Sequence, residues 1–278
     1  MVLPMIEYDR GVPVAVVNYL NRSWDLPVGD DVTRAYKAFG QLLGLPFFTV
    51  RYDPCQWAYQ VKGHNEAALR FLSHQRTWIE LTEVQFADFL YRLRGRISPD
   101  LRPYGVDFNR APWDPSLVLG PQAEPWPGQL MSQRRRNFEP VQQVRATWRN
   151  PCLDIDLAVV NRDRRVALVV DYKAPEARVS LDSTNMKALS SLRQDDGSSV
   201  PAMVVRYGYS VDASGFRNEQ TWAFKVHCLN ATARSQLSFA LGHVGAVNWA
   251  LASVVADEEW TDLTEAEWVA VLRCIRDL

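Results

Sequence analysis

The sequence predicts an α/β protein of two lobes, each a central mixed sheet flanked by helices. Three observations predict it: blocks of residues that occur twice in the same order, β-branched apolar runs that alternate with helical periodicity inside each copy, and a proline-rich stretch between the copies.

The repeat is read block by block. Residues 13–20, Pro-Val-Ala-Val-Val-Asn-Tyr-Leu, match residues 166–173, Val-Ala-Leu-Val-Val-Asp-Tyr-Lys. Lys37, Ala38, Phe39 and Leu42 match Lys187, Ala188, Leu189 and Leu192. Residues 45–52 then match residues 200–207, and Trp57, Ala58 and Tyr59 match Trp222, Ala223 and Phe224. In the last block Trp78, Leu81, Thr82, Glu83, Leu90 and Arg94 recur at unchanged spacing as Trp260, Leu263, Thr264, Glu265, Leu272 and Arg276. So many blocks in one order and register define an internal duplication.

Each copy follows one plan. Residues 14–19 and 166–172 are short valine-rich runs, the composition of a strand buried on both faces. A helix is expected next, over residues 32–43 and 182–194. A second buried run leads to Val50, Arg51 and Tyr52, or to Val205, Arg206 and Tyr207, and a further strand covers residues 57–61 or 221–227. The second copy inserts a polar hairpin tip at residues 208–219. Both copies close on a helix that Thr82 or Thr264 opens, with Gln85 or Glu267 three residues on, as in a capping box. Phe86, Leu90 and Leu93 then share a face, as do Trp268, Leu272 and Ile275.

Composition narrows the class. The 278 residues suffice for two lobes that each bury a core, and a net charge of −1 gives no overall attraction to nucleic acid. The four cysteines, Cys55, Cys152, Cys228 and Cys274, have no metal-ligand spacing, so reduced thiols in a cytoplasmic protein are expected. No apolar run is long enough to span a bilayer, and residues 1–10 lack the basic start and apolar stretch of a signal peptide, so no membrane partner is expected. His64, His74, His227 and His243 show neither metal nor triad spacing and read as packing or surface residues. No glycine loop suited to phosphate binding occurs.

Residues 1–97 form the first lobe, residues 98–129 a connector, and residues 130–278 the second lobe. The connector carries seven prolines, from Pro99 to Pro127, with few periodic apolar positions, as an extended segment does. Trp113 and Trp126 are expected to pack it onto a lobe. Arg134, Arg135 and Arg136 follow, then a helical stretch over residues 140–148 that starts on proline.

A cluster of charged residues suited to metal chemistry occurs only in the second copy. Asp154, Ile155 and Asp156 lead into an apolar strand over residues 157–160. A polar turn at residues 161–165 reverses the chain, and the paired strand ends in Asp171, Tyr172 and Lys173. Strand alternation puts Asp154 and Asp156 on one face, and Asp171 and Lys173 on one face. The hairpin brings these faces together, so carboxylates that suit Mg²⁺ lie beside an ammonium group. The first copy has Asn18 and Leu20 at the places of Asp171 and Lys173, and Leu3 near that of Asp156. Folding of this scaffold therefore does not require the charges.

The order Asp156, Asp171 fifteen residues on, then Tyr172 and Lys173, resembles the PD-(D/E)XK signature of the restriction-endonuclease-like nucleases. The resemblance covers residues 140–207 as strand, hairpin, helix and strand. It implies two tandem restriction-endonuclease-like lobes, the first degenerate and inactive. It also implies Asp156 and Asp171 as ligands of Mg²⁺ or Mn²⁺, the backbone carbonyl of Tyr172 as a further ligand, and Lys173 as the catalytic lysine. Pro151 does not directly precede an acid, so Asp154 and Asp156 compete for the first ligand position, and the family's spacing favours Asp156. Many members add a glutamate from an upstream helix, and Glu139 is the nearest candidate, although it stands before Pro140 at a helix start.

The expected function is a metal-dependent nuclease acting on DNA, with one active site in the second lobe and a homodimer or protein partner engaged through the first. Arg134, Arg135, Arg136, Arg145 and Arg149 before the site, and Arg162, Arg164 and Arg165 in the hairpin turn, are the candidate phosphate contacts. The alternative is a non-catalytic DNA- or protein-binding adaptor on the duplicated fold, for example a phage or mobile-element factor.

Overall fold

The computed structural model describes residues 4–21, 30–53, 58–97, 152–174, 177–211, 217–244 and 260–278. The connector, the segment with Arg134, Arg135, Arg136, Glu139, Arg145 and Arg149, and Cys55 and Trp57 lie outside the described residues. The chain divides into two compact units, built mainly from the residues up to Leu153 and from Asp154 onward.

The first unit holds β1 (Pro4–Asp9), β2 (Val12–Asn21), α1 (Asp30–Leu42), β3 (Phe47–Asp53), β4 (Ala58–Gly63), α2 (Glu66–Phe71), β5 (Ile79–Leu81) and α3 (Glu83–Leu93). Its sheet runs β5-β4-β3-β2-β1-β6, where β6 is Cys152–Asp154. The second unit holds β7 (Leu157–Val160), β8 (Val166–Lys173), α4 (Thr184–Ser190), β9 (Ala202–Val211), β10 (Arg217–Cys228), α5 (Ala231–Val244), β11 (Thr261–Thr264) and α6 (Glu265–Asp277), with sheet order β11-β10-β9-β8-β7. Both sheets are mixed. β2–β3 and β8–β9 pair in parallel, while β3–β4, β4–β5, β7–β8, β9–β10 and β10–β11 are antiparallel.

The duplication holds at the level of single pairs. Val16 faces Phe47 and Asn18 faces Thr49, as Val169 faces Ala202 and Asp171 faces Val204. The N–H of Val16 donates to Pro46 O, and that of Val169 to Pro201 O, both at 2.9 Å. Both capping boxes form, with Gln85 and Glu267 closing on Thr82 and Thr264. Asn65 and Asn230 are a repeated pair that the block comparison misses. Each caps a helix by accepting from the N–H of Ala68 or Ala233, and each donates to Leu45 O or Val200 O. Each therefore fastens a helix start to the turn that enters the parallel strand.

The cores differ in content. The first packs Phe48, Phe86 and Phe89 with Tyr59, whose ring stacks on Phe86 at 4.1 Å. The second is aliphatic around the buried Trp268, with Leu168, Val170, Val226, Val271 and Ile275. Leu272, expected on the buried face of α6, is only partly buried, and Val271 takes the core position. The helix expected over residues 182–194 is shorter, since Ser183 caps its start and Arg193 leaves to bridge Ser199. No helix among the described residues is long and apolar enough to cross a membrane.

Candidate functional site

The acids and the lysine belong to the β7–β8 hairpin. β8 is buried along its whole apolar run from Val166 to Val170, and Asp171 ends that run only 3% exposed. Val170 and Tyr172 point toward the core with Trp268, whose Nε1 donates to Tyr172 Oη at 2.9 Å. Alternation then puts Asp171 and Lys173 together on the opposite face. There Lys173 Nζ lies 2.6 Å from Asp171 Oδ1.

Asp156 precedes β7 and joins this group through the backbone. Its Oδ2 accepts the N–H of Tyr172 at 2.6 Å, and its own N–H donates to Val170 O at 3.2 Å. Leu157 pairs with Val170, so the same register continued by one residue sets Asp156 opposite Asp171. The structure thus brings Asp156, Asp171 and Lys173 to one end of one hairpin. Burial raises the pKa of Tyr172; the bond from Trp268 opposes that shift and the charge of Asp156 adds to it.

Asp154 is placed differently from the sequence expectation. It ends β6 in the first sheet, and the chain leaves strand geometry at Ile155 and Asp156 before β7 begins. Strand alternation therefore does not carry from Asp154 to Asp156. The side chain of Asp154 lies outside the described residues, as does all of Glu139.

The turn arginines lie at the other end of the hairpin. Val166 to Asp171 spans five steps of about 3.3 Å, so the turn is about 17 Å from the acids. Arg164 occupies the left-handed region of that turn, at φ 57. Arg165 donates to Asp196 Oδ2 at 2.8 Å and to Ser198 Oγ at 2.5 Å, and Arg162 lies 3.6 Å from Asp277. Asp196 has its pKa lowered, first by the bonds from Ser198 and then by Arg165.

A basic residue does stand beside the lysine. Lys173 pairs with Arg206, Arg206 with Lys225, and Lys225 with Asp262, so these side chains form one row across four strands. Arg206 stacks its guanidinium over Trp260 at 4.8 Å and donates to Ala177 O at 3.3 Å. The repeat carries the signal for it, because Arg51 lies over Trp78 in the same way, at 4.3 Å.

Asp156 and Asp171 offer hard oxygen donors, the type that holds Mg²⁺ or Mn²⁺. Among the described residues no group of three or more His, Cys, Asp or Glu side chains is placed to hold a metal ion. Two carboxylates, those of Asp156 and Asp171, stand at this hairpin end. Cys228 and Cys274 are free thiols, burial pushes the Cys228 pKa up to about 12, and the buried Cys152 donates its thiol to Met5 Sδ at 3.3 Å. No protein-family model, curated protein or solved structure matches the chain.

Proposed function

We propose that the second lobe is a divalent-metal-dependent nuclease that hydrolyses phosphodiester bonds of DNA, with Asp156, Asp171 and Lys173 as its catalytic group. The observation that carries this reading is the meeting of these three residues at one hairpin end, through contacts of 2.6 Å, on a scaffold whose other copy does without them.

Asp156, Asp171 and the carbonyl of Tyr172 would hold the ion. Magnesium keeps several of its waters and is commonly bound through one or two carboxylates, so this donor set is sufficient. When bound there, the ion supplies Lewis-acid polarisation of a phosphoryl oxygen and a more acidic water. Asp171 holds the Lys173 ammonium at the site, and Lys173 offers its donors to the attacking water and to the phosphate oxygens. Arg206, next in the row, provides a guanidinium for the adjoining phosphate. The Trp268–Tyr172 bond fixes the strand end from the core side.

The second reading is a non-catalytic adaptor, and one observation favours it: Asp171 and Lys173 are closed on each other as an ion pair. Cleavage of supercoiled plasmid with Mg²⁺ or Mn²⁺ separates the two. The nuclease reading expects nicking that Asp171→Asn and Lys173→Ala both abolish. Absence of cutting on plasmid, linear and single-stranded DNA, with DNA binding unchanged in both variants, would establish the adaptor.

A further inference from the structure

In the first lobe, the row that corresponds to Asp171, Val204 and His227 is Asn18, Thr49 and Lys62. Directly paired residues present their side chains on one face, so these three stand side by side across β2, β3 and β4. The acid has left the row and a lysine has entered it.

The row is polar and incompletely satisfied. Asn18 is 0% exposed, and neither its Oδ1 nor its Nδ2 has a hydrogen-bond partner. A buried amide in that condition is costly, and native proteins rarely tolerate it without a reason. Thr49 is 4% exposed, and its Oγ1 lies 2.8 Å from His64 Nε2. The His64 pKa is lowered to about 4, first by burial and then by the positive charges of Lys62 and Lys37, so both ammonium groups act at this place. The carboxylate of the neighbouring row, Glu80, is exposed and accepts from Gln60 Nε2 at 3.0 Å.

We propose that this face of the first lobe binds a phosphate group, with Asn18 Nδ2 and Thr49 Oγ1 as hydrogen-bond donors and Lys62 and Lys37 supplying the positive charge. The duplicated scaffold has exchanged a cluster of carboxylates for a cluster of donors and cations, which reverses the sign of the ligand it takes. A phosphate oxygen gives Asn18 Nδ2 the acceptor it lacks. Lys62 is partly exposed with its ammonium 5.9 Å from the centre of the Trp78 ring, so its long stem borders the row from the solvent side. The phosphate is either free or part of a nucleic-acid backbone, and Arg51 over Trp78 extends the face for the latter. The proposal does not depend on nuclease activity in the second lobe.

The test follows the imidazole signals of His64 by NMR in the full chain, without divalent metal. Inorganic phosphate is titrated at constant ionic strength, with chloride as the control. The expected result is a saturable shift specific to phosphate, with the His64 midpoint moving up from about 4 as the bound anion offsets the two lysines. Asn18→Leu and Lys62→Gln should each weaken binding about tenfold or more. Lys62 is partly exposed, so its variant keeps the test valid if Asn18→Leu fails to fold. A thymidine decamer that saturates the same signals at lower concentration than inorganic phosphate identifies the nucleic-acid backbone as the source, and equal affinity identifies free phosphate. No response of His64 to either probe, or equal binding by the wild type and both variants, overturns the proposal.

Discussion

Asp156 Oδ2 accepts the backbone N–H of Tyr172 at 2.6 Å, and this bond ties the first acid to the strand end that carries Asp171 and Lys173. On the nuclease reading proposed above, the acid has two separable roles. One of its oxygens holds the hairpin end together, and its charge would hold the metal.

Two substitutions separate these roles. Asp156→Asn keeps an acceptor for the Tyr172 amide and removes the charge, while Asp156→Ala removes both. Metal-dependent plasmid cleavage should fall about a hundredfold or more in each. Only the alanine variant should also lose stability, by about 1 kcal/mol in a denaturant melt. Equal stability loss in both would show that the charge, and not the hydrogen bond, holds the hairpin end.

The first lobe carries its own buried ion pair, on the opposite side of its sheet from Asn18. Arg94 Nη2 lies 2.6 Å from Glu7 Oε2, both side chains are 0% exposed, and Tyr19 Oη donates to Glu7 Oε1 at 2.6 Å. Arg94 also donates to the carbonyls of Tyr8 and Leu90. Removal of one partner strands a buried charge, so Arg94→Ala or Glu7→Ala should each cost about 3–5 kcal/mol. The double variant Glu7→Leu with Arg94→Met should recover much of that loss, because apolar replacement of a whole buried pair is often close to neutral. Urea melts of the three variants measure it.

That pair also marks the limit of what the sequence tells. The blocks of the repeat carry the architecture well, because matched residues turn out to be matched partners: Val50 faces Val61 as Val205 faces Val226, and Tyr59 faces Leu81 as Phe224 faces Leu263. The hairpin that collects Asp156, Asp171 and Lys173 follows from strand alternation and a short polar turn. β1 escapes such reading, since Met5 to Tyr8 are all buried and show no alternation, and the partner of Glu7 lies 87 residues away. β6 is three residues long and pairs in the first sheet, so nothing local separates Asp154 from β7. α5 is rich in alanine and serine, and its buried side is marked by two alanines, Ala233 and Ala240, with Leu237 and Leu241. Arg206 reads as a repeat residue alone until β9 sets it beside Lys173.

The two capping boxes offer a matched comparison. Thr82 Oγ1 and Thr264 Oγ1 each accept from the N–H three residues on at 3.3 Å, while Gln85 and Glu267 return a bond at 2.8 Å. Thr82→Ala and Thr264→Ala should each cost about 1 kcal/mol. Glu267 is ionised where Gln85 is neutral, and a negative charge at a helix start adds a dipole contribution of about 0.3–1 kcal/mol. Glu267→Gln should therefore destabilise α6 by that amount in low salt, with the difference shrinking as salt rises.

His64 gives the first lobe a pH response of defined sign. Its pKa falls from an ordinary 6.5 to about 4 in the fold, because burial and the nearby charges of Lys62 and Lys37 disfavour the imidazolium. Between those two values the unfolded chain binds a proton that the folded chain does not, so stability rises with pH across that window. The contribution is fully present above about 6.5 and is lost as pH falls toward about 4. His64→Gln removes the titrating group and keeps a polar side chain near Thr49. Thermal melts of both proteins across this range should show the wild type losing more stability than the variant on acidification, with the two curves running parallel above neutrality. A variant that loses as much as the wild type would assign the acid sensitivity to carboxylates instead.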